Sequence, residues 1–402
     1  MVRSAHDSLP ELVGASRHEF YSVGASRHEL YWLDWVRFAA AFMVVAIHAR
    51  GGTWVDWASI EGSDRSAIAA VFFAVTRAGT ESVLVFFVLS GYLVGGALIK
   101  RVQAGSLRLS DYAVDRASRI FVPLIPALAF SGAVAWWTGR PTSITEFFGT
   151  LAGLQGVMIA SFASNVPLWS LSYEVWFYVL AGAAAALCAG RPRLAALSFF
   201  AVVAALCIFT KLNSTFLFVW CVGALSCQAT GSLRRRAIVI VAFVFAICGY
   251  IVSQVHTDSV SVKQVTWLQH LPSQSVGHLM LGFGISLLLP SLVAARPRGP
   301  FLIIVHDLGA KIAASSYTLY LIHYPVLYLI EYYHPSRYST FSLESFGWYG
   351  GRIVATLFVA FLFYVPFEKR TATVRRWARA RIEFYALGHK GLFSETARLD
   401  IS

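Results

Sequence analysis

The chain has 402 residues, of which 57% are hydrophobic, 15% aromatic and only 13% charged, and its mean hydropathy is +0.62. That composition excludes a soluble domain and implies a polytopic membrane protein built as an all-α helix bundle. The net charge of +12 comes from 33 basic residues scattered between hydrophobic runs, with none of the clustering a nucleic-acid partner needs.

Residues 1–30 are polar and hold most of a tandem decapeptide, VGASRHEFYS followed by VGASRHELYW. Two copies make no solenoid, so this reads as a local duplication in a cytoplasmic tail. No short apolar core with a small-residue cleavage site precedes Tyr31, so no secretory signal is expected. The first hydrophobic segment, YWLDWVRFAAAFMVVAIHAR, then places Arg37 and His48 inside a candidate span at 33–50. Eleven residues apart, they stand ~16 Å apart along a helix and ~20° apart around it. Ionisable residues in a span usually face a bundle interior or a wet cavity, which makes this helix one wall of a site. The other reading pairs Arg37 with Asp34 at i, i+3 as a flanking anchor and leaves His48 as an outer cap.

The run Ala67–Val75 is too short to span and reads as a re-entrant or interfacial lead into a second span at 83–99. There FFVLSGYLVGG supplies glycines for close helix approach. Before the third span, 118–137, Arg116 and Arg119 are neighbours on one helical face, either a fork for phosphate or carboxylate or plain positive anchors. Pro123 and Pro126 kink such a span and free carbonyls to line a cavity. The stretch NVPLWSLSYEVWFYVL enters a fourth span at 173–190 with Ser170, Ser172 and Glu174 where the apolar run begins. Glu174 is expected near the outer edge of the hydrocarbon, as general base, substrate ligand or partner of a buried histidine or arginine. Further spans follow at 194–210, 215–230, 237–255 and 276–294. The ninth, 312–332, carries Ser316, Tyr317, Tyr320 and His323 ahead of Pro325; the last three polar residues recur every third position, on one helical side. A tenth span lies at 348–367.

With a cytoplasmic amino terminus, 25 of the 33 Lys and Arg fall on the inner side and 8 on the outer, an excess that alternates loop by loop. Both termini are therefore expected inside. The chain after Pro366 spaces Phe367, Val374, Trp377 and Ile382 among basic residues as an interfacial helix on the anionic leaflet does, and 371–402 reads as a basic cytoplasmic tail. The five cysteines lie in apolar stretches without metal-ligand spacing, so they read as packing residues, with no metal expected.

Taken in order, Arg37-x10-His48, FFVLSGYL, Arg116-x-x-Arg119, WSLSYE (Trp169 to Glu174) and SYTLYLIH (Ser316 to His323) resemble acyltransferase family 3, over about residues 31–370. These are bacterial integral-membrane enzymes that O-acylate sugars, polysaccharides, lipid-linked glycans or macrolides. The resemblance implies a catalytic His48, with Arg37, Arg116 and Arg119 on acyl-coenzyme A, acetyl-CoA above all. It also implies a hydroxyl acceptor, a glycan at the outer face, and a place in the bacterial cytoplasmic (inner) membrane. The family's closing glutamate is often followed by proline; here Glu368 precedes Lys369 and Arg370, and it receives little weight. No soluble esterase-like domain is expected after the tenth span.

On this reading acyl-CoA sits with its phosphates on Arg116 and Arg119 and its pantetheine arm along the first span, delivering the thioester beside His48. His48 is the general base, or carries the acyl group. The acceptor enters from outside near Glu174, Trp54 and Trp57. Glu174 and His323 are the further catalytic candidates, with Tyr320 or His323 donating to the thioester oxyanion or orienting the acceptor. Asp34, Ser170, Ser172, Tyr317 and Tyr320 support the site or touch substrate. The alternative from another class is a secondary transporter or flippase with Arg37, His48 and Glu174 as a relay. The paired interrupted segments of transporter repeats are not evident in the sequence.

Overall fold

A computed structural model describes residues 31–384 apart from 141, 163, 230–235, 256–273, 296 and 298. Most of the tandem decapeptide and the end of the basic tail lie outside the described residues. Those described form helices and connecting loops with no strand: α1 (Tyr31–Thr53), α2 (Ala67–Val75), α3 (Gly79–Ser90), a π-helical segment (Gly91–Gly95), α4 (Gly96–Gln103), α5 (Leu109–Trp137) and α6 (Ile144–Leu151). They continue as α7 (Trp169–Cys188), α8 (Ala195–Phe209), α9 (Ser214–Ser226), α10 (Arg236–Val255), α11 (Gln274–Ala294), α12 (Pro300–Ala313), α13 (Ser316–Tyr333) and α14 (Leu343–Tyr364). Residues 371–384 form a last helix, α15.

Eight helical stretches are long and apolar enough to cross a membrane. The short apolar α9 and the more polar α13, which are not among the eight, occupy the two other positions where the sequence expects a span. Local chemistry sets several boundaries. Asp34 in the first turn of α1 and Arg50 in its last complement the helix dipole. Capping boxes start α6 (Ser143, Glu146) and α14 (Ser342, Ser345). The nine-residue α2 leaves Ile68 83% exposed while burying Phe73, and joins α3 through Thr76–Ala78 as the lead into the second span.

α1 is central, packed against α3, α11, α12, α13 and α14. α10 and α11 form a separate close pair: a Cβ added to Gly249 lies 2.4 Å from the Leu281 amide nitrogen, so the two backbones touch. At the π-helical segment a Cβ on Gly91 lies 2.1 Å from the Trp220 carbonyl oxygen, which gives the FFVLSGYLVGG glycines their packing role against α9. On the surface shared by α5 and α15, Arg379 Nη2 donates to Asp115 Oδ1 at 2.5 Å, with Arg375 Nε 3.7 Å away. Val374, Trp377, Ile382 and Phe384 remain exposed on α15, matching the amphipathic spacing of the tail.

One sequence expectation is overturned outside the bundle centre. Trp54 does not offer a face for an acceptor: it is 1% exposed, its Nε1 donates to the Thr340 carbonyl, and Phe72, Phe341, Phe346 and Tyr349 surround its ring. An indole that ends α1 with an apolar loop folding back over it is more stable as the core of that loop than in solvent. Trp57 lies half-buried against Phe73.

Candidate active site

Polar residues on α1, α5, α7 and α13 form a seam through the centre of the bundle, and α13 is its spine. Tyr317, Tyr320 and His323 recur every third residue and ascend one side of that helix by ~4.5 Å per step. Each meets partners from a different helix.

At the lowest step Glu368, just past α14, accepts from Arg119 Nη1 and also from the Thr318 backbone N–H (2.9 Å) and Oγ1 (2.6 Å). A carboxylate there caps the first turn of α13 and neutralises a buried guanidinium at once. Arg119 also covers the Tyr317 ring at 4.9 Å, and the Tyr317 hydroxyl, buried, has no hydrogen-bond partner among the described residues. Glu368 is thus the residue sequence reasoning undervalued. The absence of a following proline was a poor guide; the signal was an acidic residue directly after a span, facing an inner arginine pair.

Alongside, Glu174 accepts from the Tyr178 hydroxyl at 2.8 Å and interacts electrostatically with Arg119 and Arg116, whose guanidinium lies over the Tyr178 ring at 5.5 Å. Tyr178 also receives a contact from Ser90 Oγ at 3.3 Å, and Trp220 Nε1 donates to that oxygen. The expected position of Glu174 at the outer edge is corrected: it lies at the level of the paired arginines. The reason is the segment before α7, which enters the bundle instead of running over its surface. Phe162, Ser164, Asn165 and Leu168 are all buried, so α7 begins deep inside. Pro325 explains the anchoring. Lacking an N–H, it leaves the Leu321 carbonyl unpaired within α13, and Asn165 Nδ2 donates to that carbonyl at 2.8 Å while reaching Ser131 Oγ at 3.0 Å.

One step higher the Tyr320 hydroxyl is 2.5 Å from the Pro167 carbonyl and 2.6 Å from Ser170 Oγ. A carbonyl only accepts, so Tyr320 donates to Pro167 and Ser170 donates to Tyr320. The Tyr320 proton is thereby committed, which removes it as the oxyanion donor the sequence nominated. Ser172 Oγ, fully buried, donates to Gln155, a structural contact that holds the entering loop.

At the top of the seam His323 Nε2 is 3.3 Å from His48 Nδ1, with ring centroids 5.0 Å apart. The Nδ1 atoms each face a carbonyl, Tyr320 O at 2.6 Å for His323 and Val44 O at 2.8 Å for His48. Those carbonyls assign the proton in each neutral ring to Nδ1 and leave Nε2 with a lone pair. His323 Nε2 then faces the His48 Nδ1–H as an acceptor, so neutral His323 has no proton to give an oxyanion. His48, part-buried, keeps its own Nε2 lone pair without a hydrogen-bond partner among the described residues. Tyr324 packs edge-on against His48 at 5.3 Å, a neighbour that its place beside His323 in the sequence made available.

At the other end of α1, Arg37 Nη1 donates to Asp34 Oδ1 at 3.1 Å, the i, i+3 pair that the anchor reading of this helix names. The structure therefore joins His48, His323, Tyr320, Ser170, Tyr317, Glu174, Arg116 and Arg119 in one seam, with Arg37 and Asp34 further down α1. The seam thus sets the imidazole nitrogens of His48 and His323 at one end and the guanidinium groups of Arg116 and Arg119 at the other.

A family profile described as an acyltransferase domain (acyltransferase family 3) matches residues 30–365. Comparison with curated proteins and with solved structures gave no match.

Proposed function

The chain belongs to acyltransferase family 3, and on that premise we propose that it moves an acyl group, acetyl in the simplest case, from cytoplasmic acyl-CoA to a hydroxyl of a sugar or other envelope glycan. The transporter reading is set aside by this membership, since an acyltransferase consumes its donor. The proposed setting is the bacterial inner membrane with both termini cytoplasmic, an orientation that rests on the Lys and Arg distribution.

The observation that carries the mechanism is the His48–His323 pair with its protons assigned by two carbonyls. His48 Nε2 takes the proton of the acceptor hydroxyl as that oxygen attacks the thioester carbonyl. The C–O bond forms, the C–S bond breaks, and the imidazolium returns its proton to the departing thiolate, so atoms and charge balance. While His48 is cationic its Nδ1–H faces two acceptors, Val44 O and His323 Nε2. His323 is therefore a positioning residue that favours the charged state of the base. Arg37, Arg116 and Arg119 are proposed to bind the donor. Arg119 is ion-paired with Glu368, whereas Arg116 has the Tyr178 ring and the longer-range charge of Glu174 beside it and, among the described residues, makes no ion pair as close as that of Arg119 with Glu368. A deep carboxylate at Glu174 sets the electrostatic level of this arginine layer.

The test uses matched cells that make the wild type, His48→Ala or neither, at equal membrane levels. Ester-linked acyl groups on envelope glycans are quantified by mass spectrometry, and coenzyme A release is followed with purified protein. Loss of the base lowers turnover by about 10²–10⁴-fold; wild-type turnover by His48→Ala sinks the scheme.

A further inference from the structure

Beyond His48 the spine helix continues outward with residues that the transfer chemistry does not use. Tyr324, Tyr328 and Tyr332 follow at intervals of four, so each step turns ~40° around α13 and rises ~6 Å. They form one stripe. Tyr324 packs edge-on against His48 at 5.3 Å, Tyr328 lies under the Arg140 guanidinium at 4.9 Å, and Tyr332 is 50% exposed. Exposure therefore rises along the stripe, from half-buried beside the base to open at the helix end. Tyr320 and Tyr178 spend their hydroxyls on protein partners, and Tyr333 binds Trp137 Nε1 at 2.7 Å; no hydrogen bond of this kind engages the three hydroxyls of the stripe among the described residues. The mouth adds an ion pair, Arg337 Nη2 to Glu331 Oε1 at 2.6 Å.

We propose that this stripe is the entry lane of the glycan acceptor named above, and that Tyr324 is the specificity-determining residue that places its hydroxyl on His48 Nε2. The proposal rests on the acyl-transfer reading above. Phenol rings offer flat apolar faces to the C–H face of a pyranose and a hydroxyl to its rim, and the guanidinium and carboxylate at the mouth supply further donors and acceptors. The rise of ~6 Å per step is close to the length of one hexose, so consecutive tyrosines meet consecutive sugars. An interfacial aromatic belt also exposes tyrosines at helix ends, but a belt residue has no reason to pack on the catalytic histidine. The lane takes over the acceptor-side role that Trp54, sealed in its loop core, does not fill.

The experiment uses the purified full-length protein in lipid nanodiscs and four probes: gluco-, galacto-, manno- and glucurono-tetrasaccharides. Binding is read by saturation-transfer NMR, and acetyl-CoA affinity is measured in parallel. The wild type should bind at least one probe. Tyr324→Phe, which removes a single oxygen, and Tyr328→Ala should weaken that binding by about tenfold, Tyr328→Phe should retain it, and acetyl-CoA affinity should be unmoved in all three. No binding of any probe to the wild type, or equal binding by wild type and both weakened variants, overturns the lane. Binding that depends on the lane without any acyl transfer to the bound probe leaves the lane standing and sinks the acyltransferase chemistry assigned to His48.

Discussion

α10 and α13 are of similar length and pack into the same bundle, yet they are built on opposite principles. α10 is the most apolar of the eight long apolar stretches and shares the lowest burial with the stretch of α14 and α15, with Ile240, Phe243 and Ile247 facing outward, Ile247 by 56%. It is held by backbone contact with α11 at glycines. α13 carries serine, tyrosines, histidine and proline, and buries Ser316, Tyr320, His323 and Pro325. In a bilayer the lipid is as apolar as leucine, so hydropathy marks the helix that faces lipid, while small residues and polar groups mark the contacts between helices. The helix least suited to lipid is therefore the one that holds the chemistry.

The contrast can be broken most severely at Glu368. Replacing it by alanine leaves Arg119 buried without its carboxylate and uncaps α13, which should cost about 3–5 kcal/mol. Thermal unfolding in detergent should show the loss, with Glu368→Gln less affected because it keeps an acceptor for Thr318. Unchanged melting of the alanine variant would show that the ion pair is not what ties α5 to α13. On the lipid-facing side, Gly249→Ala should separate α10 from α11 and cost about 1–3 kcal/mol. Because α10 lies outside the seam, the surviving folded protein should keep wild-type turnover per molecule; a parallel fall in specific activity would mean that the two regions are coupled. A smaller effect is expected at the entering loop, where Asn165→Ala should cost about 1 kcal/mol. That loss should shrink in a Pro325→Ala background, where α13 can satisfy the Leu321 carbonyl itself; additive costs would contradict the pairing. Smallest of all, Ile247→Leu on α10 should stay within about 0.5 kcal/mol of wild type in the same melting assay.

Much of this was legible beforehand. The spans of α1 and α5, the i, i+3 pair of Asp34 with Arg37 and the single side shared by Tyr317, Tyr320 and His323 are consequences of helical periodicity, which sequence spacing carries directly. The depth of Glu174 was misjudged because hydropathy counts residues from the start of an apolar run and has no way to register a loop that enters the bundle. Trp54 was misassigned for a related reason, since an aromatic in a loop reads the same whether the loop opens outward or folds over it.

By itself, then, the sequence determined that the chain is a helical membrane bundle, which way its charges bias it, which residues are costly to bury and which family they resemble. These are local or compositional properties, and each follows from the cost of exposing a charge or a backbone to hydrocarbon. Only the tertiary structure decided who partners whom: His48 with His323 across 275 positions, Arg119 with Glu368 across 249, and Asn165 with the carbonyl that Pro325 sets free. A hydrogen bond between distant residues depends on where two helices cross and on the direction each side chain takes there, and no spacing along one chain encodes that.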